Sequence, residues 1–310
     1  MAIGEQYSQI IKAEAARLGF TYCGIARAER LDEDADRLEQ WLKAGMQGTM
    51  KYMEDHFEMR VDPRLIVPGA QSVITLMLNY FPEEQQDPKA PRISKYAYGK
   101  DYHEVIRTRL RELLDTIRQQ IGPVQGRGFV DSAPVLERAW AVKSGLGWVG
   151  KNGNLISRKT GSFLFLATLI VDLALSYDPP FAADYCGTCT RCLDSCPTGA
   201  ILPGKVVDAS RCISYYTIEL KEALIPEAEQ GKLESWVFGC DICQDVCPWN
   251  RFSKPHEEAA FTPLKEVLNF STSDWESLSE EAFRQIFRDS PLKRPRYSGM
   301  MRNLKAIRKS

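Results

Sequence analysis

Four cysteines in the second half of the chain follow the spacing C-x2-C-x2-C-x3-C and run directly into a proline. They are Cys186, Cys189, Cys192 and Cys196, with Pro197 after them. This is the ligand run of bacterial two-cluster ferredoxins, in which three thiolates hold one 4Fe-4S cluster and the fourth reaches a second cluster. The motif therefore predicts a second set of cysteines elsewhere in the chain.

A second cysteine motif meets that requirement. Cys240, Cys243 and Cys247 precede Pro248, and Cys212 can supply the ligand that this run lacks. By the crossing rule of two-cluster ferredoxins, we predict that Cys247 joins the first three cysteines of the first motif on one cluster. The predicted ligands of the second cluster are Cys196, Cys212, Cys240 and Cys243.

Zinc is the alternative metal, because structural zinc sites with four thiolates also use C-x2-C pairs. Zinc ribbons do not require the x3-C-P ending, so we favour two 4Fe-4S clusters. Cys23 is the cysteine left over, and it lies in a strand-like segment where we expect a small buried hydrophobic residue. Eight cysteines at ligand spacing also indicate a reducing compartment and not a disulfide scaffold.

The composition is that of an ordinary globular protein, with 310 residues, 44% hydrophobic and 26% charged. Its longest apolar stretch, from Phe163 to Val171, is much shorter than the ~20 residues that span a bilayer. The N-terminal segment lacks the residue order of a signal peptide. We expect a cytoplasmic monomer with no membrane partner.

Hydrophobic periodicity predicts an α+β domain over residues 1–177. The expected helices cover 6–18, 32–43, 101–121 and 134–144, and the expected strands cover 20–26, 73–78 and 129–131, with 155–157 and 163–173 paired as a hairpin. These units are too uneven for a regular parallel array. We place a domain boundary at Asp178-Pro179-Pro180, then a ferredoxin-like module over 178–250 and a helical, basic segment over 251–310.

The end of the chain is strongly basic, with seven basic and no acidic residues from position 293 onward, which leaves the remainder at −8. This asymmetry indicates an anionic partner, although most basic tails are simply solvated. The basic residues are Lys293, Arg294, Arg296, Arg302, Lys305, Arg308 and Lys309.

Iron-sulfur clusters move single electrons and rarely make or break carbon bonds by themselves. The chain contains neither a G-x-G-x-x-G fingerprint after a strand nor a G-x4-G-K-[ST] loop, so familiar nicotinamide, flavin and nucleotide sites lack support. We therefore expect the N-terminal domain to bind a further cofactor.

Three stretches of that domain, taken in order with the cysteine motifs, resemble the epoxyqueuosine reductase family. They are YGKDYH at 98–103, VDSAPVLER at 130–138 and GLGWVGKN at 145–152, and the segment CISYYTIE at 212–219 belongs to the same pattern. The resemblance runs from the first helix to about Lys305. Many proteins share the ferredoxin motif, but this combination in this order is specific.

The resemblance implies a nitroreductase-like domain that binds cobalamin beside a two-cluster ferredoxin module. Its substrate would be tRNA that carries epoxyqueuosine at the wobble position. Two electrons, supplied by an external donor such as a flavodoxin or ferredoxin, and two protons would remove the epoxide oxygen as water and leave queuosine. The alternatives are an electron carrier that feeds a partner enzyme, and a reductive dehalogenase-like corrinoid enzyme that acts on a small molecule.

Asp131 matches the family's acid and would protonate the departing epoxide oxygen. An ordinary aspartic acid has a pKa of about 3.9, so this role requires a desolvated site that raises the pKa. Without the resemblance, we would interpret Asp131 as a carboxylate that accepts backbone N–H bonds at a helix start.

The resemblance also places a set of polar residues near the corrin. We do not assign His103 as an axial cobalt ligand, because Ile106 stands where the D-x-H-x-x-G signature has glycine. Helix capping by His103 and ordinary turn chemistry in the loop after position 150 are the plain alternatives. The predicted cofactor contacts are Tyr102, His103, Asp131, Lys151, Asn152, Asn154, Ser157 and Arg158.

Members of the family often continue into helical repeats, whereas this chain stops at Ser310 as a short or truncated form. We therefore expect phosphate contacts from the basic tail and from the region of Arg107, Arg109 and Arg111, although single arginines on a helix are usually solvated charges.

Overall fold

The computed structural model describes residues 3–131 and 133–308. The N-terminal part begins with one helix, one strand and two further helices, which are α1 (Ile3–Arg17), β1 (Tyr22–Arg27), α2 (Asp32–Lys43) and α3 (Phe57–Val61). It continues with β2 (Ser72–Asn79), β3 (Arg92–Ile93), α4 (Tyr102–Gln120), β4 (Gly126–Phe129), α5 (Glu137–Lys143), β5 (Trp148–Val149), β6 (Leu155–Ile156) and β7 (Leu164–Val171).

A four-stranded antiparallel sheet in the order β1-β2-β7-β4 forms the centre of this part. The two central strands are apolar along their length, because both faces of the sheet are covered. Ile74 and Leu76 face the side on which α1 and α4 pack. Val73 shares a second core with Trp140 of α5 on the opposite side. Because successive side chains of a strand point to opposite faces, β2 contributes apolar residues to both cores.

The predicted mixture of helices and antiparallel strands is confirmed. Helix α2 has the predicted bounds, and α1 ends before Gly19, whose φ of +84° suits glycine at a helix C-terminus. Strand β4 ends at Phe129 and α5 begins at Glu137, so the predicted strand over 129–131 and helix start at Pro134 are wrong. The described residues between β4 and α5, which are 130–131 and 133–136, form no regular helix or strand.

The predicted hairpin between 155–157 and 163–173 is also wrong. Strand β6 pairs with β5, whereas β7 lies between β2 and β4 in the main sheet. A Cβ atom at Gly147 would lie 2.2 Å from the carbonyl oxygen of Ile156, so glycine permits the close approach of β5 and β6. An apolar run predicts that a segment is a strand, but it does not predict which other strand that segment pairs with.

The cysteine-rich part has little regular structure. Its elements are α6 (Arg191–Asp194), β8 (Ile201–Leu202), β9 (Val206–Val207), α7 (Glu227–Gln230), β10 (Trp236–Phe238) and α8 (Ile242–Asp245), together with a π-helix over Tyr215–Glu219. Strand β10 pairs in parallel with β3, which precedes it by more than a hundred residues. This pairing joins the cysteine-rich part to the N-terminal part.

The last part of the chain is helical, as predicted. Its helices are α9 (Lys265–Asn269), α10 (Thr272–Ser277), α11 (Glu280–Ile286) and α12 (Arg296–Ile307). Their apolar residues, such as Trp275 and Phe287, share one core with Ile93 of β3 and Phe238 of β10. The domain boundaries at 177 and 250 stay predictions.

Arg302 is a buried structural cation and not part of an exposed basic tail. Its guanidinium donates hydrogen bonds to the carbonyl oxygens of Tyr216, Leu220 and Glu222 at 2.7–2.8 Å. The prediction that Arg302 contacts phosphate is therefore wrong, because this side chain fastens α12 to the π-helix.

Among residues 3–131 and 133–308, no helix is long and apolar enough to cross a membrane.

Candidate active site and cluster module

Asp131 lies in the loop between β4 and α5 and adopts a left-handed backbone conformation, with φ +54°. Its backbone N–H donates to Oε1 of Glu137 at 3.1 Å. Its carboxylate accepts the Tyr102 hydroxyl proton at 2.6 Å and lies 3.5 Å from Nε2 of His103. Because positive φ is costly for residues other than glycine, these contacts must hold the loop in place.

Asp101, His103 and Asp131 form a line of alternating charge at the N-terminus of α4. Asp101 caps this helix, since its Oδ1 accepts the backbone N–H of His103 at 3.1 Å and lies 2.7 Å from its Nδ1. Nζ of Lys293 is 3.0 Å from Oδ2 of Asp101. The capping role proposed for His103 therefore belongs to Asp101.

His103 carries a proton at neutral pH. Burial opposes its charge, but the hydrogen bonds and negative charges of Asp101 and Asp131 outweigh burial and raise the pKa of His103 to about 9. The ring is also fixed, because Tyr102 stacks on His103 with centroids 4.1 Å apart and on Phe165 at the same distance. An oriented imidazolium therefore stands beside the Asp131 carboxylate.

The pKa of Asp131 lies below its ordinary value. Burial favours the neutral carboxyl, but hydrogen bonds from His103 and Tyr102 and the charges of His103 and Arg294 favour the carboxylate and prevail. The expectation that desolvation raises the pKa of Asp131 is therefore wrong for this arrangement. The proton of this group resides on His103, and Asp131 keeps 60% of its side chain accessible.

Glu137 and Arg138 are site residues to which the sequence reasoning assigned no role. Burial, and then the charge of Asp131, raises the pKa of Glu137 well above its ordinary value. Burial lowers the pKa of Arg138, although its side chain is accessible to water. A group that is accessible yet surrounded by protein lies in a cleft. The signal in the sequence was the adjacent charged pair Glu137 and Arg138 immediately before the apolar run at 139–142 of helix α5.

A second group of polar residues, also missed from the sequence, borders the cleft. Arg294 and Glu219 form an ion pair with a shortest N–O distance of 2.7 Å. Burial and the charge of Glu219 raise the pKa of Tyr52 to about 12, so its phenol stays neutral. Arg294 lowers the pKa of Asp131, which places this group near the acid.

The loop after β5 connects the cleft to the cysteines. Nη1 of Arg138 donates to the Gly153 carbonyl at 2.5 Å, and Nδ2 of Asn152 donates to the Cys243 carbonyl at 3.2 Å. Nζ of Lys151 donates to the carbonyl oxygens of Gly187 and Cys189 at 2.8 and 2.9 Å. Lys151 and Asn152 therefore fasten the cleft wall to the cysteine-rich part.

The other predicted cofactor contacts of this loop are placed differently. Asn154 is partly buried, and its N–H donates to Oδ1 of Asn152 at 3.2 Å. Ser157 is buried and accepts the Lys159 N–H, while Arg158 lies on the Tyr185 ring at 4.8 Å. Among the residues that the structure describes, no contact joins Ser157 or Arg158 to the Asp131 group.

Eight cysteines fall into two neighbouring groups. Burial and then the thiols of Cys186 and Cys247 raise the pKa of Cys192, and Cys189 acts on Cys247 in the same way. We call these four residues the first cysteine group. In the second cysteine group, burial likewise raises the pKa of Cys212, Cys240 and Cys243. The thiol of Cys196 adds to the rise at Cys212, and the thiols of Cys212 and Cys243 add to the rise at Cys240.

The second cysteine group is the deeper of the two, and the loop at the edge of the cleft contacts both groups, through Lys151 at Cys189 and Asn152 at Cys243. Burial raises the pKa of Cys240 and Cys243 far above that of a free thiol, so metal must displace their protons when it binds. The carbonyl of Cys243 contacts Asn152, as described above. Cys23, the ninth cysteine, packs partly buried against the main core, and burial raises its pKa to about 12.

Comparison with known proteins identifies the family. Residues 60–132 match the family model described as "Epoxyqueuosine reductase QueG, DUF1730", and residues 185–250 match the "4Fe-4S double cluster binding domain". The epoxyqueuosine reductase of Cellulophaga algicola is 58% identical over 300 residues, which is 97% of each chain. This chain belongs to the epoxyqueuosine reductase family. The Escherichia coli epoxyqueuosine reductase is 40% identical over 96% of this chain and 80% of its own length.

Solved epoxyqueuosine reductases have the same fold. A structure of a selenomethionine-labelled epoxyqueuosine reductase matches with a TM-score of 0.89, and it covers 97% of this chain and 81% of the other at 29% identity. A second structure, of an epoxyqueuosine reductase with a tRNA-Tyr epoxyqueuosine-modified stem loop, matches with a TM-score of 0.88, with 97% and 80% covered, also at 29% identity. The predicted family is confirmed. The match to a 4Fe-4S double cluster binding domain also confirms the choice of iron-sulfur clusters and not zinc as the bound metal.

Several arginines and lysines that were expected to contact phosphate are engaged within this epoxyqueuosine reductase. Arg109 pairs with Glu258, and Arg308 pairs with Glu276. Lys293 and Arg294 hold Asp101 and Glu219, as described above. Lys309 lies outside the described residues. The basic residues Arg111, Arg296 and Lys305 have no ion pair within the described part of the chain, so they stay candidates for phosphate.

Proposed function

We infer that this protein reduces epoxyqueuosine to queuosine at the wobble position of tRNA. In the net reaction two electrons and two protons open the epoxide, and its oxygen leaves as water. The observation that carries the inference is the protonated His103 beside Asp131 in a cleft that Asn152 links to the cysteines. One solved relative is described with an epoxyqueuosine-modified tRNA stem loop, which supports the substrate.

The proton would come from the His103–Asp131 pair. Asp131 is the accessible member and would stand closest to the epoxide oxygen, while His103 holds the proton ready at neutral pH. When substrate excludes water from the cleft, the Asp131 carboxylate is desolvated further, and its pKa rises. The proton would then move from His103 through Asp131 to the leaving oxygen. Tyr102 and Glu137 orient Asp131 through its carboxylate and its backbone N–H.

A cobalamin in the cleft is the further cofactor that we propose. The residues present fit such a group, because the accessible Arg138 and the polar loop at 151–154 edge a cleft between Asp131 and the second cysteine group. When bound, cobalamin would supply a cobalt centre that passes the electrons to the substrate. Tyr102, His103, Lys151, Asn152 and Asn154 would hold its edge. The contacts of Ser157 and Arg158 give these two residues less support.

The cluster ligands follow the two cysteine groups. The first group would bind one 4Fe-4S cluster and the second group the other, as the crossing rule predicts. Most electrostatic neighbours of the thiols lie within one group and support this division, with Cys192 and Cys243 as a pair that acts between the groups. We also propose a nitroreductase-like N-terminal domain, supported by the sheet with helices on both faces, and a cytoplasmic location, which a tRNA substrate requires.

The test is anaerobic incubation of the reconstituted protein, with and without added cobalamin, on tRNA that carries epoxyqueuosine. Nuclease digestion and nucleoside mass spectrometry would then measure the modified base. We expect a cobalamin-dependent loss of one oxygen atom, abolished by Asp131→Ala. If the oxygen stays while dithionite bleaches the clusters normally, the electron-carrier and small-molecule alternatives replace the proposed function.

A further inference from the structure

Aromatic rings lie on the protein surface directly beside the first cysteine group. Tyr185 precedes Cys186 and is 39% exposed, and Phe252 is 37% exposed. Trp249, two residues after Cys247, lies between them, with ring centroids 5.8 Å from Tyr185 and 6.0 Å from Phe252. Nε1 of Trp249 donates to the Tyr185 carbonyl at 3.3 Å. Exposed contiguous aromatic surface of this kind usually marks a binding site.

Positive charge surrounds these rings. Arg251 lies over Phe252 at 4.4 Å, and Arg191 and Arg251 line one surface cavity of about 590 Å³ together with Cys247. Within the chain as described, neither arginine has an ion-pair partner, and both are exposed. We call the surface formed by Tyr185, Arg191, Trp249, Arg251 and Phe252 the Tyr185 face.

Two of the three acidic side chains near the Tyr185 face are paired with lysines, and the third, Asp194, keeps its charge. Asp245 is 2.6 Å from Nζ of the buried Lys95, and Asp184 is 3.0 Å from Nζ of Lys205. Asp194 accepts the Thr190 hydroxyl proton at 2.7 Å. The two arginines of the face, Arg191 and Arg251, therefore outnumber the one carboxylate near it that lacks an ion pair among the described residues, although the whole chain carries a formal charge of −1.

The position of the face matches the direction in which electrons must travel. The Tyr185 face lies over the first cysteine group at Cys247, whereas Cys240 and Cys243 of the second group are buried more deeply in the protein. A donor on this face would meet the first cluster, then the second, and then the cleft. Asp131 is surrounded by Tyr102, His103, Glu137 and Arg294, none of which belongs to the Tyr185 face.

We propose that the Tyr185 face is the docking site of an acidic one-electron carrier protein. The proposal rests on the proposed function, which consumes two electrons from outside. Each reduced carrier would give one electron to the cluster of the first cysteine group and leave oxidised by one electron, so two encounters serve one epoxide. Positive charge would speed the encounter with an acidic partner, and exposed rings give a small contact that separates quickly.

A nucleic acid could also use arginines and aromatic rings. The carrier is the better occupant, because no residue of the face is among the neighbours of Asp131, which the modified base must reach. The Arg294–Glu219 pair and Tyr52 border the cleft at which the anticodon loop must arrive. Binding of tRNA to the Tyr185 face is therefore an outcome that would overturn the proposal.

The experiment compares two charge-reversed variants of the full, cluster-loaded protein. The test variant is Arg191→Glu with Arg251→Glu. The control variant is Arg27→Glu with Lys265→Glu, two exposed residues outside the face that change the net charge equally. The probe is an acidic flavodoxin. Calorimetry measures the Kd of the oxidised flavodoxin, and stopped-flow bleaching measures cluster reduction by its hydroquinone and, separately, by dithionite.

We expect the test variant to bind flavodoxin at least ~10-fold more weakly and to lose the same factor in its reduction rate at low salt. Dithionite should reduce both variants at the wild-type rate, and dithionite-driven epoxyqueuosine reduction should be unchanged. Equal binding and reduction by flavodoxin in all three proteins would overturn the proposal. So would a loss of affinity for the tRNA stem loop with flavodoxin reduction intact.

Two further measurements keep the result interpretable. Iron and sulfide content confirm that the test variant holds its clusters, and Arg191→Gln with Arg251→Gln replaces it if it does not. Phe252→Ser tests the aromatic part of the face without a change of charge, and we expect weaker binding with unaltered salt dependence. Failure of dithionite-driven turnover in the wild type would instead refute the proposed function and leave the docking result standing.

Discussion

The sheet domain and the cysteine-rich part solve the problem of stability in different ways. The four-stranded sheet buries apolar side chains on both faces, in cores such as those around Ile74 and Trp140. The cysteine-rich part has α-helices of four residues and strands of two or three, a smaller apolar core around Leu233 and Trp236, and eight partly buried cysteines. Apolar burial therefore stabilises the first region, whereas the second combines a smaller apolar core with metal ligation.

The same contrast separates the two halves of the chemistry. Two partners of Asp131 stand on regular structure, because Tyr102 and His103 begin a helix of 19 residues, and they hold Asp131 in its loop. The electron path runs through irregular loops that are held by single hydrogen bonds, such as that from Asn152 to Cys243. We therefore expect the acid to keep its geometry when the clusters are removed, and the electron path to lose it.

Removal of iron is the largest test of this comparison. Anaerobic chelation, or Cys240→Ser with Cys243→Ser, should abolish reduction and raise amide hydrogen exchange across residues 185–250. Protection of β2 and β7 should fall far less, because apolar burial holds the sheet. Mass-spectrometric hydrogen exchange on both forms measures this. Equal loss of protection in both regions would show that they fold as one unit.

Asp131→Asn should produce the next largest effect. The amide cannot deliver a proton, so we expect turnover to fall ~10²- to 10⁴-fold, the usual contribution of general acid catalysis. The affinity for the tRNA stem loop and the melting temperature should stay near wild type, because the side chain is largely accessible. Single-turnover kinetics with nucleoside mass spectrometry measures the rate. A loss of less than threefold would remove Asp131 from its role.

Arg302→Met tests the contact between the C-terminal helix α12 and the carbonyl groups in and after the π-helix of the cysteine-rich part. The change leaves the carbonyls of Tyr216, Leu220 and Glu222 without their donor. We expect a loss of ~3 kcal/mol in the free energy of unfolding, as for other broken buried polar networks. Chemical denaturation measures it, with the exposed Lys305→Met as the matched control. Equal stability of the two variants would contradict the structural role of Arg302.

Asp101→Asn should have the smallest effect, a fall in turnover of about tenfold at high pH. The cause is the loss of the Asp101 charge, which helps to keep His103 protonated. The folded pKa of about 9 lies above the ordinary 6.5, so the proton on His103 stabilises the fold below pH ~6.5 and is lost as pH rises through 9. Loss of the Asp101 charge should lower the pKa of His103 and move the alkaline limb of the rate profile to lower pH. NMR titration of His103 measures the shift directly, and an unmoved titration would contradict the coupling.

Local sequence determined a large share of the result. Helix α2 and the main helix α4 follow from apolar periodicity and from the N-cap Asp101, because both signals act within a few residues. The spacing of the cysteines predicted two 4Fe-4S clusters for the same reason. Cysteines separated by two residues can ligate one cluster through local chain geometry alone. The combination of four short segments identified the family.

Tertiary structure decided what depends on distant partners. The place of β7 between β2 and β4, and not beside β6, is set by the two cores that cover the sheet. The burial of Arg302 required carbonyls some eighty residues away. The charge of Asp131 depends on burial, His103, Tyr102 and Arg294, and the charge of His103 depends on burial, Asp101 and Asp131. All of these contacts except that between Asp101 and His103 join distant parts of the chain, and a pKa reports the sum of burial and neighbouring charge. Local pattern therefore names the groups that do the chemistry, and the fold sets their partners and their protonation.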